Sequence, residues 1–231
     1  LLEGPQGLKE ALNRPRLIVD IFATEDALVR HAEVFKKAED CSIEIQLVTE
    51  QVLAAMCDTE NPQGVLAVCE QIDVALDAVL PLQPRLIALL ANIRDPGNAG
   101  TVLRAADAAG ADAVVFSTNS VDVYNSKLVR STTGSIFHLP VVTGVDILET
   151  IGKLKAAGFQ VFAADGGGVS ITELPAGTLA RPTVWVFGNE AWGFEPEVKA
   201  AVDMVVGLPL YGAAESLNLA TAASVCLYES A

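Results

Sequence analysis

The sequence predicts an α/β fold in two parts: a small N-terminal α/β unit, then a larger domain built on a parallel sheet. Three observations carry that prediction. Apolar runs of strand length alternate with helical patterns along the whole chain. The strands of the second part are apolar on both faces, as strands covered by helices on both sides are. The stretch Leu80-Pro81-Leu82-Gln83-Pro84, with two prolines so close together, can continue neither a helix nor a central strand. The parts are therefore drawn at 1–76 and 85–231, with 77–84 as a linker.

In the first part Leu17–Phe22 reads as a strand. Thr24 caps a helix over Glu25–Lys37, whose apolar residues include Ala27, Leu28, Ala32 and Phe35. Ile43–Val48 alternates as a half-buried strand does, Thr49 caps a helix over Gln51–Met56, and Gly64–Cys69 is a further strand. In the second part Leu86–Leu90, Ala113–Phe116, Gln160–Ala164, Thr183–Phe187 and Val205–Leu208 read as buried strands. Ala99–Ala109, Ile147–Ala157, Pro196–Val202 and Leu217–Tyr228 read as helices.

Composition limits the function classes. Of 231 residues, 51% are apolar and 19% charged, enough for a sizeable core and contrary to disorder. Lys plus Arg is 15 against 29 Asp plus Glu, a net −14. A globally basic nucleic-acid binder is excluded; a local basic patch is not. The charge divides into 6 basic and 15 acidic residues through Pro84 (net −9), then 9 and 14 (net −5). No apolar run reaches the ~18 residues of a membrane span. Cys41, Cys57, Cys69 and Cys226 form no C-x-x-C pair and read as buried free thiols of a reducing compartment. His31 and His138 have no neighbours at ligand spacing, so no metal site is expected. The chain opens on Leu1 rather than Met, so residues upstream are expected, and nothing in it looks like a targeting segment.

Three segments can carry chemistry. Asn92-Ile93-Arg94-Asp95-Pro96-Gly97-Asn98 follows a strand and opens a helix that Asn98 can cap; Arg104 lies six residues beyond Asn98 among alanines. Arg104 either snorkels on a helix surface or meets a phosphate or ribose. Phe187-Gly188-Asn189-Glu190-Ala191-Trp192-Gly193 ends a strand in glycine and then offers an amide and a carboxylate, where open α/β sheets bind ligands. It reads equally as a capping turn. In Leu208-Pro209-Leu210-Tyr211-Gly212-Ala213-Ala214-Glu215-Ser216-Leu217-Asn218, Ser216 suits an N-cap, which leaves Asn218 in the first helical turn. Glycine-rich turns, including Gly166-Gly167-Gly168, also suggest a nucleotide-dependent oxidoreductase, but the G-x-G-x-x-G spacing is missing.

In this order the three segments resemble the signature motifs of the SpoU (TrmH) class of RNA ribose 2′-O-methyltransferases, in the SPOUT superfamily. The resemblance covers Leu86–Tyr228. Leu2–Ala11 and Asn61-Pro62-Gln63-Gly64-Val65 resemble, more loosely, that family's substrate-binding domain, which has the fold of small kink-turn-binding ribosomal proteins. The resemblance implies a parallel-sheet SPOUT domain with a C-terminal trefoil knot, a topology that no pattern argument reaches. It implies S-adenosyl-L-methionine as cofactor, held by Ala164, Asp165, Phe187, Gly188, Asn189, Leu208, Pro209, Ser216, Leu217 and Asn218. Leu208 and Leu217 would wall the adenine.

The implied reaction is methyl transfer to a ribose 2′-hydroxyl. Arg104 matches the family's catalytic arginine, and Asn98, Glu190, Ser216 and Asn218 match its other polar positions. A guanidinium normally stays protonated. Arg104 is therefore read as holding the target phosphate and orienting the hydroxyl rather than as a base. The resemblance also implies a homodimer that builds its active site from both chains and acts on RNA, and a cytoplasmic location is expected; among the chain's few cations, Arg14, Arg16, Arg94, Lys127 and Arg130 are the candidates for phosphate contact. The N-terminal domain favours ribosomal RNA; the alternatives are a tRNA ribose methyltransferase and a catalytically inactive RNA-binding member of the fold.

Overall fold

The computed structural model describes residues 1–231. Chain order runs β1 (Leu2–Glu3), α1 (Pro5–Ala11), β2 (Ile18–Ala23), α2 (Glu25–Arg30), α3 (Ala32–Asp40), β3 (Ile45–Leu47), α4 (Glu50–Met56) and β4 (Val65–Cys69). It continues with α5 (Leu76–Val79), β5 (Leu86–Leu90), α6 (Pro96–Ala108), β6 (Ala113–Ser117), α7 (Ser126–Thr132), β7 (Val141–Val145) and α8 (Ile147–Ala156). It closes with β8 (Gln160–Ser170), β9 (Thr183–Phe187), α9 (Pro196–Ala201), β10 (Met204–Gly207) and α10 (Leu219–Glu229).

The chain forms two compact units. One holds Leu1–Ile72 together with Tyr124–His138; the other holds Asp73–Val123 and Leu139–Ala231. The first is a four-stranded sheet in the order β1-β4-β2-β3, with β2 antiparallel to β4 and parallel to β3. Thr24 and Thr49 cap α2 and α4 through their hydroxyls, as their positions in the sequence predict. The helix expected over Glu25–Lys37 is broken at His31, whose backbone (φ −121°, ψ 34°) leaves the helical region. Helix α7 belongs to this unit, although the sequence placed it within the second part. Its Arg130 pairs with Glu3 at 2.9 Å, and Glu3 also accepts the backbone N–H of Asp58 and Thr59.

The second unit is a six-stranded parallel sheet in the order β10-β8-β9-β5-β6-β7. Its strands are buried end to end over Leu86–Leu90, Ala113–Ser117 and Thr183–Phe187, which explains their unbroken apolar composition. Alternation splits each strand between two cores. Ile87, Leu89, Val115, Val161 and Val184 join Ile151 and Leu154 of α8 and Val198 of α9. Helices α6 and α10 pack against each other and on β5 and β9. There Trp185 meets Phe162 edge to face and donates its indole N–H to Ser230 at 2.9 Å. Each buried Leu, Ile or Phe contributes about 1.5–3 kcal/mol.

Residues 77–84, read as a linker, include most of α5. Leu76 and Val79 are buried in the second core, because Leu76, Val79 and Leu80 recur at helical spacing before Pro81 ends the helix. No helix is long and apolar enough to cross a membrane. Of the four thiols only Cys226 is fully buried; Cys41, Cys57 and Cys69 are half-buried, and none is disulfide-bonded.

Candidate active site

The carboxyl ends of β5, β8, β9 and β10 converge on one cavity of about 670 Å³. Strand order reverses between β5 and β9, and such a switch point leaves a crevice beyond the strand ends. Each element delivers its residues for a local reason. The β8–β10 register jumps so that Val205 pairs Ala163 but Val206 pairs Val169. Residues 164–168 are thereby looped out, which carries Asp165, Gly166 and Gly167 into the cavity wall. Gly168 lies against the Val205 backbone, where a side chain would collide. The glycine run therefore serves close strand approach and makes no phosphate loop.

After β9, Gly188 leads into a tight turn closed by reciprocal 2.9 Å hydrogen bonds between Asn189 and Gly193. A Cβ on Gly188 would sit 2.7 Å from the Gly193 carbonyl oxygen, so only glycine fits. Buried Asn189 accepts from Ala191 N–H at 2.9 Å and donates to the Asn92 carbonyl at 2.7 Å. Asn92 holds a left-handed backbone (φ 57°), a conformation asparagine tolerates. The turns after β5 and β9 are thus fastened to each other.

Two caps differ from the sequence reading. The N-cap of α6 is Asp95, which accepts the Asn98 N–H at 2.7 Å; the helix starts one turn earlier than expected because Pro96 suits its first position. The N-cap of α10 is Asn218 rather than Ser216: its carbonyl oxygen accepts from Ala220 and Thr221. That cap sets the direction of a chain of amides. With its oxygen committed to the helix, Asn218 can only donate, and its Nδ2 reaches Asn98 Oδ1 at 3.0 Å. Asn98 Nδ2 then donates to Glu190 Oε1, also at 3.0 Å. Three signature positions from three distant segments meet in one line.

The cavity lining includes Asn98, Ala164, Asp165, Gly188, Asn189, Glu190, Leu208, Ser216, Leu217 and Asn218. Phe187 is buried in the sheet, and neither it nor Pro209 lines the cavity. Arg104 does not line it either: it stands exposed on α6, and its side chain makes no hydrogen bond or ion pair within its own chain. Of the expected RNA contacts, Arg14, Arg16, Arg94 and Lys127 are exposed, whereas Arg130 is engaged by Glu3. Arg94 lies over the Trp192 ring, 5.8 Å from its centroid.

The sequence reading missed Phe194, Leu210, Glu215, Leu219, Ala222 and Cys226 in the lining. Leu219, Ala222 and Cys226 follow helical spacing on α10, a signal that marks an apolar face without saying whether it meets core or cavity. Burial pushes the Cys226 thiol up to about 12, so it is a neutral wall.

The cavity's charge is one-sided. Asp165, Glu190 and Glu215 line it, and no Lys or Arg does. The hydrogen bond from Lys199 at 2.6 Å holds the Asp165 carboxyl below its ordinary range, with burial opposing and the Gly167 N–H assisting. Such a cavity suits a ligand with a positive charge and an apolar body, and its lining has no cationic side chain to meet a pyrophosphate.

Comparison with known proteins agrees. Residues 85–228 match the SpoU rRNA methylase family, and residues 1–74 match the RNA 2′-O ribose methyltransferase substrate-binding domain. The chain is 33% identical over 229 residues to the Bacillus subtilis 23S rRNA (guanosine(2553)-2′-O)-methyltransferase RlmP, covering 99% of this chain and 86% of that one. An AdoMet-bound rRNA methyltransferase from Sinorhizobium meliloti superposes with a TM-score of 0.81 at 29% identity, over 99% of this chain and 85% of that one. The SpoU methyltransferase AviRb from Streptomyces viridochromogenes, in complex with AdoMet, gives 0.80 at 26%, over 99% and 88%. The chain therefore belongs to the SpoU rRNA methylase family.

Proposed function

We propose that the protein is an S-adenosylmethionine-dependent methyltransferase acting on a ribose 2′-hydroxyl of ribosomal RNA. The observation that carries this reading is the Asn218–Asn98–Glu190 line at the mouth of a cavity lined by carboxylates and no cation. The cavity fits the cofactor's chemistry. Leu208, Leu210, Leu217 and Val206 offer apolar surface to an adenosyl group, the Gly188 turn offers backbone groups, and the carboxylates favour a sulfonium and an ammonium. When bound, S-adenosylmethionine supplies the electrophilic methyl. A dinucleotide would bring a pyrophosphate to a cavity lined by three carboxylates and no Lys or Arg, which disfavours the oxidoreductase reading.

The chain's own residues then position the acceptor. Glu190, held by Asn98, faces the cavity mouth and can accept a hydrogen bond from a ribose hydroxyl. Arg104 is the group suited to grip the target phosphate. Its exposure and its absence from its own cavity lining support a homodimer in which Arg104 of one copy serves the cavity of the other. Exposed Val225 and Tyr228 on α10 give that pairing apolar surface. The same reading includes a threaded C-terminal knot, a 1–76 substrate-binding domain ahead of an 85–231 catalytic domain, and a cytoplasmic location.

Transfer of radioactive methyl from S-adenosylmethionine to RNA from cells lacking the gene tests the proposal. Wild-type protein should label ribosomal RNA, and Arg104→Ala should lower labelling on the order of 10²–10³-fold with cofactor affinity kept. Binding of RNA without any labelling would favour an inactive RNA-binding protein.

A further inference from the structure

We infer that Trp192 and Arg94 form a stacking platform for an unpaired base of the RNA substrate, beside the ribose being methylated; this rests on the function proposed above. Trp192 is 55% exposed, an unusual position for so large an apolar ring. It does not dangle. It sits in the turn pinned by the Asn189–Gly193 hydrogen bonds, between Glu190 and Gly193, both of which line the cavity.

Arg94 comes from the neighbouring turn, and buried Asn189 ties the two turns together through the Asn92 carbonyl at 2.7 Å. The guanidinium lies 5.8 Å from the indole centroid and makes no ion pair. A ring and a cation are thus pre-set at the edge of the cavity, with ring surface open to solvent. A nucleotide is the ligand that uses both, since its base stacks on an aromatic face while its phosphate meets a cation. In a protein of net charge −14, such a local pair supplies grip that the overall field does not. The base must be unpaired, because a ring within a duplex presents no free face.

Two tryptophans make this readable. Trp185 is fully buried, so acrylamide quenching reports on Trp192. In the full-length protein, a short unstructured ribo-oligonucleotide should quench Trp192 emission and shield it from acrylamide, and the same strand in a duplex should do so much less. Trp192→Ala should raise KM for ribosomal RNA on the order of tenfold, with kcat and S-adenosylmethionine affinity kept, and Trp192→Phe should restore most of it.

Trp192 that is already shielded in the free protein would mean that a second copy covers it and would overturn the inference. So would normal methylation with an unchanged KM in Trp192→Ala, which leaves the proposed function standing. Shielding by RNA without methyl transfer by wild type would sink the enzyme reading and leave the platform. Failure both to bind and to methylate RNA would overturn both.

Discussion

One side-chain amide decides the orientation of its neighbours. Asn218 spends its oxygen on the first turn of α10, so the donor end of the amide points at Asn98 and the donor end of Asn98 points at Glu190. The substitution Asn218→Asp separates capping from donation. It keeps the cap, so the melting temperature should stay close to wild type, but it cannot donate, and methyl transfer should fall on the order of tenfold or more. Asn218→Ala should lose both and cost about 1 kcal/mol in thermal or urea unfolding. An Asn218→Asp enzyme with full activity would show that the line is not used. Asp165 makes a second prediction at this scale. Its folded-state pKa is depressed by Lys199, so its stabilising effect is present above the ordinary carboxylate range and is lost as pH falls through the lowered value. Acid titration of unfolding should show a shallower low-pH loss in Asp165→Asn than in wild type.

At the scale of elements, the turn after β9 is the most constrained piece. Gly188→Ala places a Cβ against the Gly193 carbonyl and must shift the turn that carries Glu190 and Trp192. Cofactor affinity, measured by calorimetry, should fall several-fold while the fold persists. The Glu3–Arg130 pair, within the other unit, gives a contrasting case. Arg130→Ala leaves Glu3, only 3% exposed, without its cation and should cost on the order of 3 kcal/mol in unfolding, with little effect on cofactor binding.

Much of this was legible beforehand. Leu86–Leu90 and Thr183–Phe187 declare themselves as buried strands, and Thr24 and Thr49 declare their helices. Other elements hide for physical reasons. Helix α1 begins Pro5-Gln6-Gly7, which reads as a turn, and β7 carries Thr143 and Gly144, which weaken its pattern. Neither Gly nor Pro marks the break at His31. The meeting of Asn98, Glu190 and Asn218 depends on strand order, which residue spacing does not encode. The identity of the cap at Asn218 rather than Ser216 depends on where α10 starts, a matter of one or two residues.

At the scale of the molecule, Arg104 is the residue that a single chain leaves without a task. The proposed dimer, with its sites shared between copies, gives it one. Arg104→Ala and Asn218→Asp, each impaired alone, should regain part of the activity when mixed, because a mixed dimer rebuilds one intact site; no regain on exchange would place Arg104 in its own chain's site. The acidic balance makes RNA affinity rest on few cations, so methylation should weaken with added salt only modestly compared with a basic RNA-binding protein. The identity of the transferred group's acceptor is the central matter, and alkaline hydrolysis of labelled ribosomal RNA tests it most directly. A 2′-O-methyl group removes the nucleophile that cleaves the adjacent phosphodiester, so the label should appear in alkali-resistant dinucleotides and vanish with Arg104→Ala. Label confined to alkali-released mononucleotides, as methylation of a base would give, would contradict the account.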